Sequence, residues 1–195
     1  MAQRKRNGYH HGSLKESLIS QALALLDEAG PDAVTIRAVA RRAHVSHAAP
    51  ANHFPDRTAL LTALATDLFQ MFEQDVEQAL AVAKPSYRAR TYMEALLNFG
   101  LDHPHRYALM WRRDLLDWND LALNTRMESL YAGFVHEVAI LPKQAGRDPH
   151  TLAIALWSMV HGYIALRLSG VFEDRRDEVS GDARTTAMLD LLLAS

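Results

Sequence analysis

The chain has 195 residues, 49% of them hydrophobic and 23% charged, with a net charge of −2 and no cysteine. That composition fits a packed protein and argues against wholesale disorder. The missing cysteines exclude disulfide scaffolds, thiolate zinc sites and cysteine nucleophiles, and they agree with a reducing cytoplasm.

Charge is unevenly spread. Residues 1–60 carry eight basic side chains (Arg4, Lys5, Arg6, Lys15, Arg37, Arg41, Arg42 and Arg57) against five acidic ones, and the remainder carries 13 basic against 18 acidic. A basic head on an acidic body points to an anionic partner at one end, or to chance asymmetry. No uninterrupted apolar run reaches the roughly 18 residues that span a bilayer, so no membrane association is expected. Met1 to Gly12 is basic with no apolar segment behind it, so no signal peptide is expected.

Taken in chain order, nearly every segment reads as helix, about nine in all. Ser13-Leu14-Lys15-Glu16 has the pattern of a capping box and opens a helix that Gly30-Pro31 stops. Thr35 caps a short second helix with Ile36, Val39 and Ala40 inward and Arg37, Arg41 and Arg42 outward. A break follows at Ala43-His44-Val45. Ser46 caps a third short helix, ended by Phe54-Pro55-Asp56, and Asp56 caps a long fourth helix with Leu60, Leu64, Leu68 and Phe72 in one stripe. Further helices are expected at about 86–102, from Pro104 to about 111–116, at 121–141 with Pro142 after it, at 148–169, and at 182–194. The fold class is therefore all-α.

Residues 35–53 form a helix-turn-helix pattern. A helix entering the major groove needs a small-residue face, which His47-Ala48-Ala49 supplies. His47 and Asn52 have the reach for base edges or phosphates. The hydroxyls of Thr35 and Ser46, at helix starts, suit phosphate oxygens. Two short alanine-containing helices also occur in ordinary bundles.

The segment Thr35-Ile36-Arg37-Ala38-Val39-Ala40, then Val45-Ser46, then His53-Phe54-Pro55-Asp56-Arg57 with Leu60-Leu61, resembles the TetR/AcrR family of regulators. Gly8-Tyr9-His10-His11-Gly12 matches as well, and Trp157, His161 and Gly162 resemble the Trp-His-Gly signature of one subgroup of its ligand-binding domains. The resemblance implies a cytoplasmic homodimer, usually a repressor released from a double-stranded DNA operator by a small molecule. It divides the chain into a DNA-binding domain at 9–57 and a ligand-binding and dimerisation domain at 58–195. The recognition helix becomes Ser46 to His53, and Arg57 the basic position that usually faces a phosphate. Phe54 is expected to pack. One departure stands out: the position usually held by a backbone-contacting tyrosine is Ala51, and Pro50 precedes it. The DNA-contact candidates are Thr35, Arg37, Ser46, His47, Ala48, Ala49, Asn52, His53 and Arg57.

Apolar residues of the last two long helices, among them Leu152, Leu156, Met159, Val160, Tyr163, Ile164 and Leu166, then Met188, Leu191 and Leu192, fit either a dimer seam or an intrachain core. For a pocket that takes an apolar or aromatic effector the candidates are Met93, Leu97, Tyr107, Met110, Trp111, Tyr131, Trp157 and His161. His161 reads equally as a ligand contact and as a core histidine supporting Trp157. Gly162, costly inside a helix, hints at a close approach. His103-Pro104-His105 and His10-His11 lack the spacing of a metal site, and no cofactor is expected. No Gly-rich phosphate loop, G-x-S-x-G elbow, H-E-x-x-H or paired Glu-x-x-His appears, so an enzyme is not expected. The competing reading is a helical small-molecule-binding or protein-interaction module with a weakened DNA-binding head.

Overall fold

The computed structural model describes residues 11–141 and 146–193. Arg4, Lys5, Arg6, the Gly8-to-His10 part of the matching leader, Pro142 and Ala194 lie outside the described residues. Eight α-helices are present among those described: α1 (His11–Ala29), α2 (Ile36–Arg42), α3 (Arg57–Val82), α4 (Arg88–Asp102), α5 (Pro104–Met110), α6 (Leu121–Ala139), α7 (Pro149–Leu168) and α8 (Arg184–Leu193). The third helical segment of the sequence reading is a 3-10 turn at Ala49–Asn52.

Local chemistry sets most of these boundaries. α1 starts at His11, so Ser13 stands inside the helix and not at its N-cap. Gly30 ends it at φ 77°, with its N–H on the Leu26 carbonyl at 2.8 Å. That left-handed conformation suits glycine. Thr35 Oγ1 accepts from Ala38 N at 3.1 Å, Asp56 Oδ1 from Ala59 N at 2.8 Å, and Asp120 Oδ1 from Leu123 N at 2.9 Å. Each satisfies an otherwise free first-turn N–H of α2, α3 and α6, worth about 1 kcal/mol apiece.

α3 is the axis of the molecule. Its Leu60, Leu64, Leu68 and Phe72 are all buried, at the spacing that aligns one helical face. α4 and α6 pack along it, α7 closes the far side against α4 and α6, and α8 lies on α7. α1 packs on α2, α3 and α5, so α5 belongs to both ends of the molecule.

α7 is apolar around its whole circumference. Leu156, Val160, Tyr163 and Ile164 are buried within the chain, while Ile154, Leu166 and Leu168 are exposed. By length and composition α7 is also long and apolar enough to cross a membrane, which the sequence reading did not expect. One side of it is core packing against α4 and α6.

Of the helix–helix or helix–ligand approach expected at Gly162, no helix–helix contact is made within the described residues: a Cβ there meets nothing within 4 Å. The tight contact lies at Gly100 in α4. A Cβ there would stand 2.7 Å from Ile164 Cδ1, 3.1 Å from Ile164 Cγ2 and 3.2 Å from Tyr107 Cδ2. Ile164 is fully buried and stiff at its branched carbon. Alanine gains about 1 kcal/mol of helix propensity, against about 1–3 kcal/mol for overpacking. Gly100→Ala is therefore expected to destabilise by about 1 kcal/mol in urea denaturation. An unchanged or higher midpoint would show that α7 yields.

Candidate nucleic-acid interface and aromatic cluster

The turn after α2 is a Schellman closure with histidine where glycine is usual. His44 takes φ 55°, Val45 N bonds to Ala40 O at 3.1 Å, and His44 N bonds to Arg41 O at 3.2 Å. The chain then runs through turns into the 3-10 segment, with Ala49 N on Ser46 O at 3.1 Å and His53 N on Pro50 O at 2.9 Å. Pro50 is why the expected recognition α-helix over Ser46–His53 is not formed. It has no N–H to bond the Ser46 carbonyl as an α-helix would require, and Ala49 takes the first position of the 3-10 turn. Pro50 and Phe54 are buried and fix the segment to the head.

The outward surface holds Arg37, Ser46, His47, Ala48 and Asn52 of the candidates, together with Arg41 and Ala51, all exposed. Arg37 and Arg41 make no ion pair among the described residues. The other candidates are committed inward to differing degrees. Thr35 Oγ1 is the α2 cap, and Ala49 is half-buried. His53 has its Nε2 buried without a partner. Arg57 turns back on the α1–α2 connection: Nε donates to Val34 O at 2.8 Å and Nη2 to Pro31 O at 2.8 Å. Its role here is a clamp on the head. Arg42 is similarly engaged, by Gln21 at 3.1 Å and Glu28 at 2.7 and 2.5 Å.

The head is tied to the rest through α5. His105 Nδ1 lies 2.9 Å from Leu26 O, and Arg106 donates twice to Asp27, each at 2.7 Å. The Arg106 hydrogen bond holds the Asp27 carboxyl below the usual carboxylate range, so the pair persists into mildly acidic solution. The carboxylates after α5 have local duties: Asp114 pairs with Arg112, Asp117 accepts from Asn119 N, and Asp120 caps α6.

Five of the eight pocket candidates converge. Trp111 meets Trp157 edge-on at 5.9 Å between centroids and His161 at 4.8 Å. Trp157 lies 5.1 Å from His161, Tyr131 6.1 Å from Trp157, and Tyr107 5.5 Å from His161. Phe69, which the sequence reading did not single out, and Phe134, one of the middle-helix aromatics suited to a pocket by type, complete the cluster at 5.4 Å from Trp111 and 5.9 Å from Trp157. Met93 and Met110 are fully buried core side chains. Leu97 lines a separate narrow crevice with Met159, Tyr163 and Met188. That crevice adjoins an open groove of about 620 Å³ beside Tyr163, Phe172, Arg184 and Met188.

Inside the cluster Tyr107 Oη lies 2.5 Å from His161 Nδ1. Burial pushes the Tyr107 phenol up and the His161 imidazole down to about 4, so both are neutral near pH 7. The unfolded chain takes up a proton at His161 near pH 6.5, and the folded chain does so only near 4. Stability from this site is therefore complete above about pH 6.5 and declines as pH falls toward 4. Allowing for its partial exposure, wild type is expected to lose about 2 kcal/mol more than His161→Phe between pH 7 and pH 4.5. Parallel loss in denaturation at the two pH values would show the histidine is charged in the fold.

Residues 18–64 match the family model for bacterial regulatory proteins of the tetR family. Residues 89–192, more than half the chain, match a tetracyclin repressor-like C-terminal domain. The chain is 26% identical over 192 residues to the uncharacterized HTH-type transcriptional regulator Rv0681 of Mycobacterium tuberculosis, covering 92% of this chain and 80% of that one. A protein of unknown function from Rhodococcus sp. RHA1 superposes with a TM-score of 0.80 at 30% identity, covering 97% of this chain and 98% of its own. The TetR family transcriptional regulator PfmR from Thermus thermophilus shares the fold, with a TM-score of 0.60 at 21% identity and coverage of 76% and 83%. The chain belongs to the tetR family and is a DNA-binding transcriptional regulator.

Proposed function

We propose that this regulator is a homodimeric, cytoplasmic repressor released from its operator by an apolar or aromatic small molecule. In this reading residues 9–57 bind DNA, and residues 58–195 bind the effector and dimerise. The observation that carries it is the position of α5. Its His105 and Arg106 grip the end of α1, and the next residue, Tyr107, bonds His161 in the aromatic cluster. An effector that parts those rings displaces α5, and with it the head and the long α3. Two recognition segments must match half-sites about 34–36 Å apart, so a small rotation in each subunit weakens binding. The effector acts only through its differential affinity for the two states.

A two-fold partner has an apolar surface to cover. Ile154, Leu166 and Leu168 of α7 are exposed, as is Leu191 of α8. Leu156, Val160, Tyr163 and Ile164, which fit either a seam or an intrachain core by sequence, are buried within the chain, and in this reading the partner covers the exposed side of α7.

A second reading, a sensor or interaction module with a weakened head, is favoured by Ala51 and by the 3-10 recognition segment. Anisotropy with a duplex from immediately upstream of the protein's own gene, against a scrambled duplex and across salt concentrations, separates the two. The repressor reading expects specific binding whose log affinity falls steeply with log salt. Equal affinity for both duplexes favours the second. Ala51→Tyr is expected to restore a phosphate contact of about 1 kcal/mol per subunit, about 30-fold for a dimer. Unchanged affinity in that variant removes Ala51 from the account.

A further inference from the structure

Among the described residues five side-chain nitrogens are buried without a partner, and two of them, Trp111 Nε1 and His161 Nε2, belong to rings in edge-to-face contact at 4.8 Å. Burial costs a polar group unless something bonds it, so two orphans in one cluster mark a place built for a polar atom.

The protons on these nitrogens follow from Tyr107. Its phenol is neutral and has His161 Nδ1 at 2.5 Å. The phenol O–H is a stronger acid than a neutral imidazole N–H and has no other acceptor among the described residues. We therefore assign the hydroxyl as donor to Nδ1, which puts the ring proton of the neutral imidazole on Nε2. Indole Nε1–H is a donor only. Both orphans are therefore donors, and what they lack is an acceptor.

The charge of that acceptor is set by its surroundings. Cation–aromatic contacts among the described residues pair Arg90 with Tyr87 and Arg113 with Trp118, neither in the cluster. Desolvation is the sole cause of the His161 shift, with no charged neighbour contributing. A carboxylate buried here would have no counter-charge. A carbonyl oxygen is neutral and has two lone pairs for two donors. The perpendicular faces of Trp111 and Trp157, 88° apart, suit a flat apolar body beside it.

We propose that the Trp111–Trp157–His161 cluster receives a neutral, flat, apolar carbonyl compound whose oxygen accepts from both Trp111 Nε1 and His161 Nε2. This rests on the effector reading above and names the chemical class of the effector.

The test uses the whole protein and three probes: acetophenone, its alkene isostere α-methylstyrene, and benzoate. The chain has three tryptophans, so proton–nitrogen correlation spectra resolve three indole N–H signals, that of Trp111 being assigned by its loss in Trp111→Phe. Acetophenone is expected to move the Trp111 signal saturably and to bind about tenfold more tightly than α-methylstyrene, with benzoate weaker than both. In Trp111→Phe, which keeps a ring and loses the N–H, the ketone's advantage should shrink severalfold. Equal binding of ketone and alkene overturns the proposal in wild-type protein alone, whatever the variant's folding. So does tighter binding of benzoate, or no saturable shift at Trp111 up to the solubility limit of acetophenone. Operator anisotropy run beside the titration keeps the two readings apart. A ketone seated at Trp111 that leaves DNA affinity unchanged supports the site and refutes the effector role. Release of DNA by the ketone with the Trp111 signal unmoved supports the effector role and overturns the site.

Discussion

The two-pronged ion pair between Arg106 and Asp27, with His105 on the Leu26 carbonyl beside it, is the joint on which the two ends of this molecule meet. A partly exposed ion pair contributes little to stability, about 0–1 kcal/mol in most cases. Its value is direction: a guanidinium fork bonded twice to one carboxylate fixes angle as well as distance. Because α5 is only seven residues long, a helix gripped at 105 and 106 also positions Tyr107 and its C-cap, Trp111. Those positions carry the hydroxyl and the indole of the aromatic cluster. The α3 core, by contrast, is packed by many leucines, and its polar tie to the head is Arg57 at its first residue.

The surface proposed to face DNA is what remains after the head has been held together. Arg42 goes to Glu28 and Gln21, and Arg57 goes to the carbonyls of residues 31 and 34. Arg37 and Arg41, four apart on α2, stay exposed, without an ion pair among the described residues, beside a face of Ser46, His47 and Ala48. The basic excess of the head therefore overstates the charge offered to phosphate by the described residues. With Pro50 the segment offered to a groove keeps four helical residues, beside the position where alanine replaces the expected tyrosine.

What is legible in the sequence is local. Thr35 and Asp56 cap their helices because a cap needs only the next three residues, and the 60-64-68-72 stripe reports a face that any buried helix needs. Pro50 is visible too, but its effect is larger than the family pattern suggests: in a segment of four residues, one missing N–H is enough to give a 3-10 turn. Arg57 and Arg106 reach partners 26 and 79 positions away, which no periodicity encodes. The same limit applies to the cluster. Residue type alone suggests Tyr107, Trp111, Tyr131, Phe134, Trp157 and His161, and only packing separates them from Met93, Leu97 and Met110 or adds Phe69. On α7, apolar all round, the sequence pattern has no phase from which to tell core from an outer face, and Gly162 faces outward while Gly100 takes the tight contact.

Whether α5 carries strain from the cluster to the head is best measured by native-state hydrogen exchange in α1 and α2 of wild type, Tyr107→Phe, Arg106→Ala and the double variant. Tyr107→Phe removes one hydroxyl from the aromatic cluster and touches nothing in the head. If α5 is the joint, that change speeds amide exchange in α1 and α2, and the acceleration disappears when Arg106→Ala has already cut the link. Head amides that exchange at wild-type rates in Tyr107→Phe, or that respond equally with and without Arg106, would contradict it.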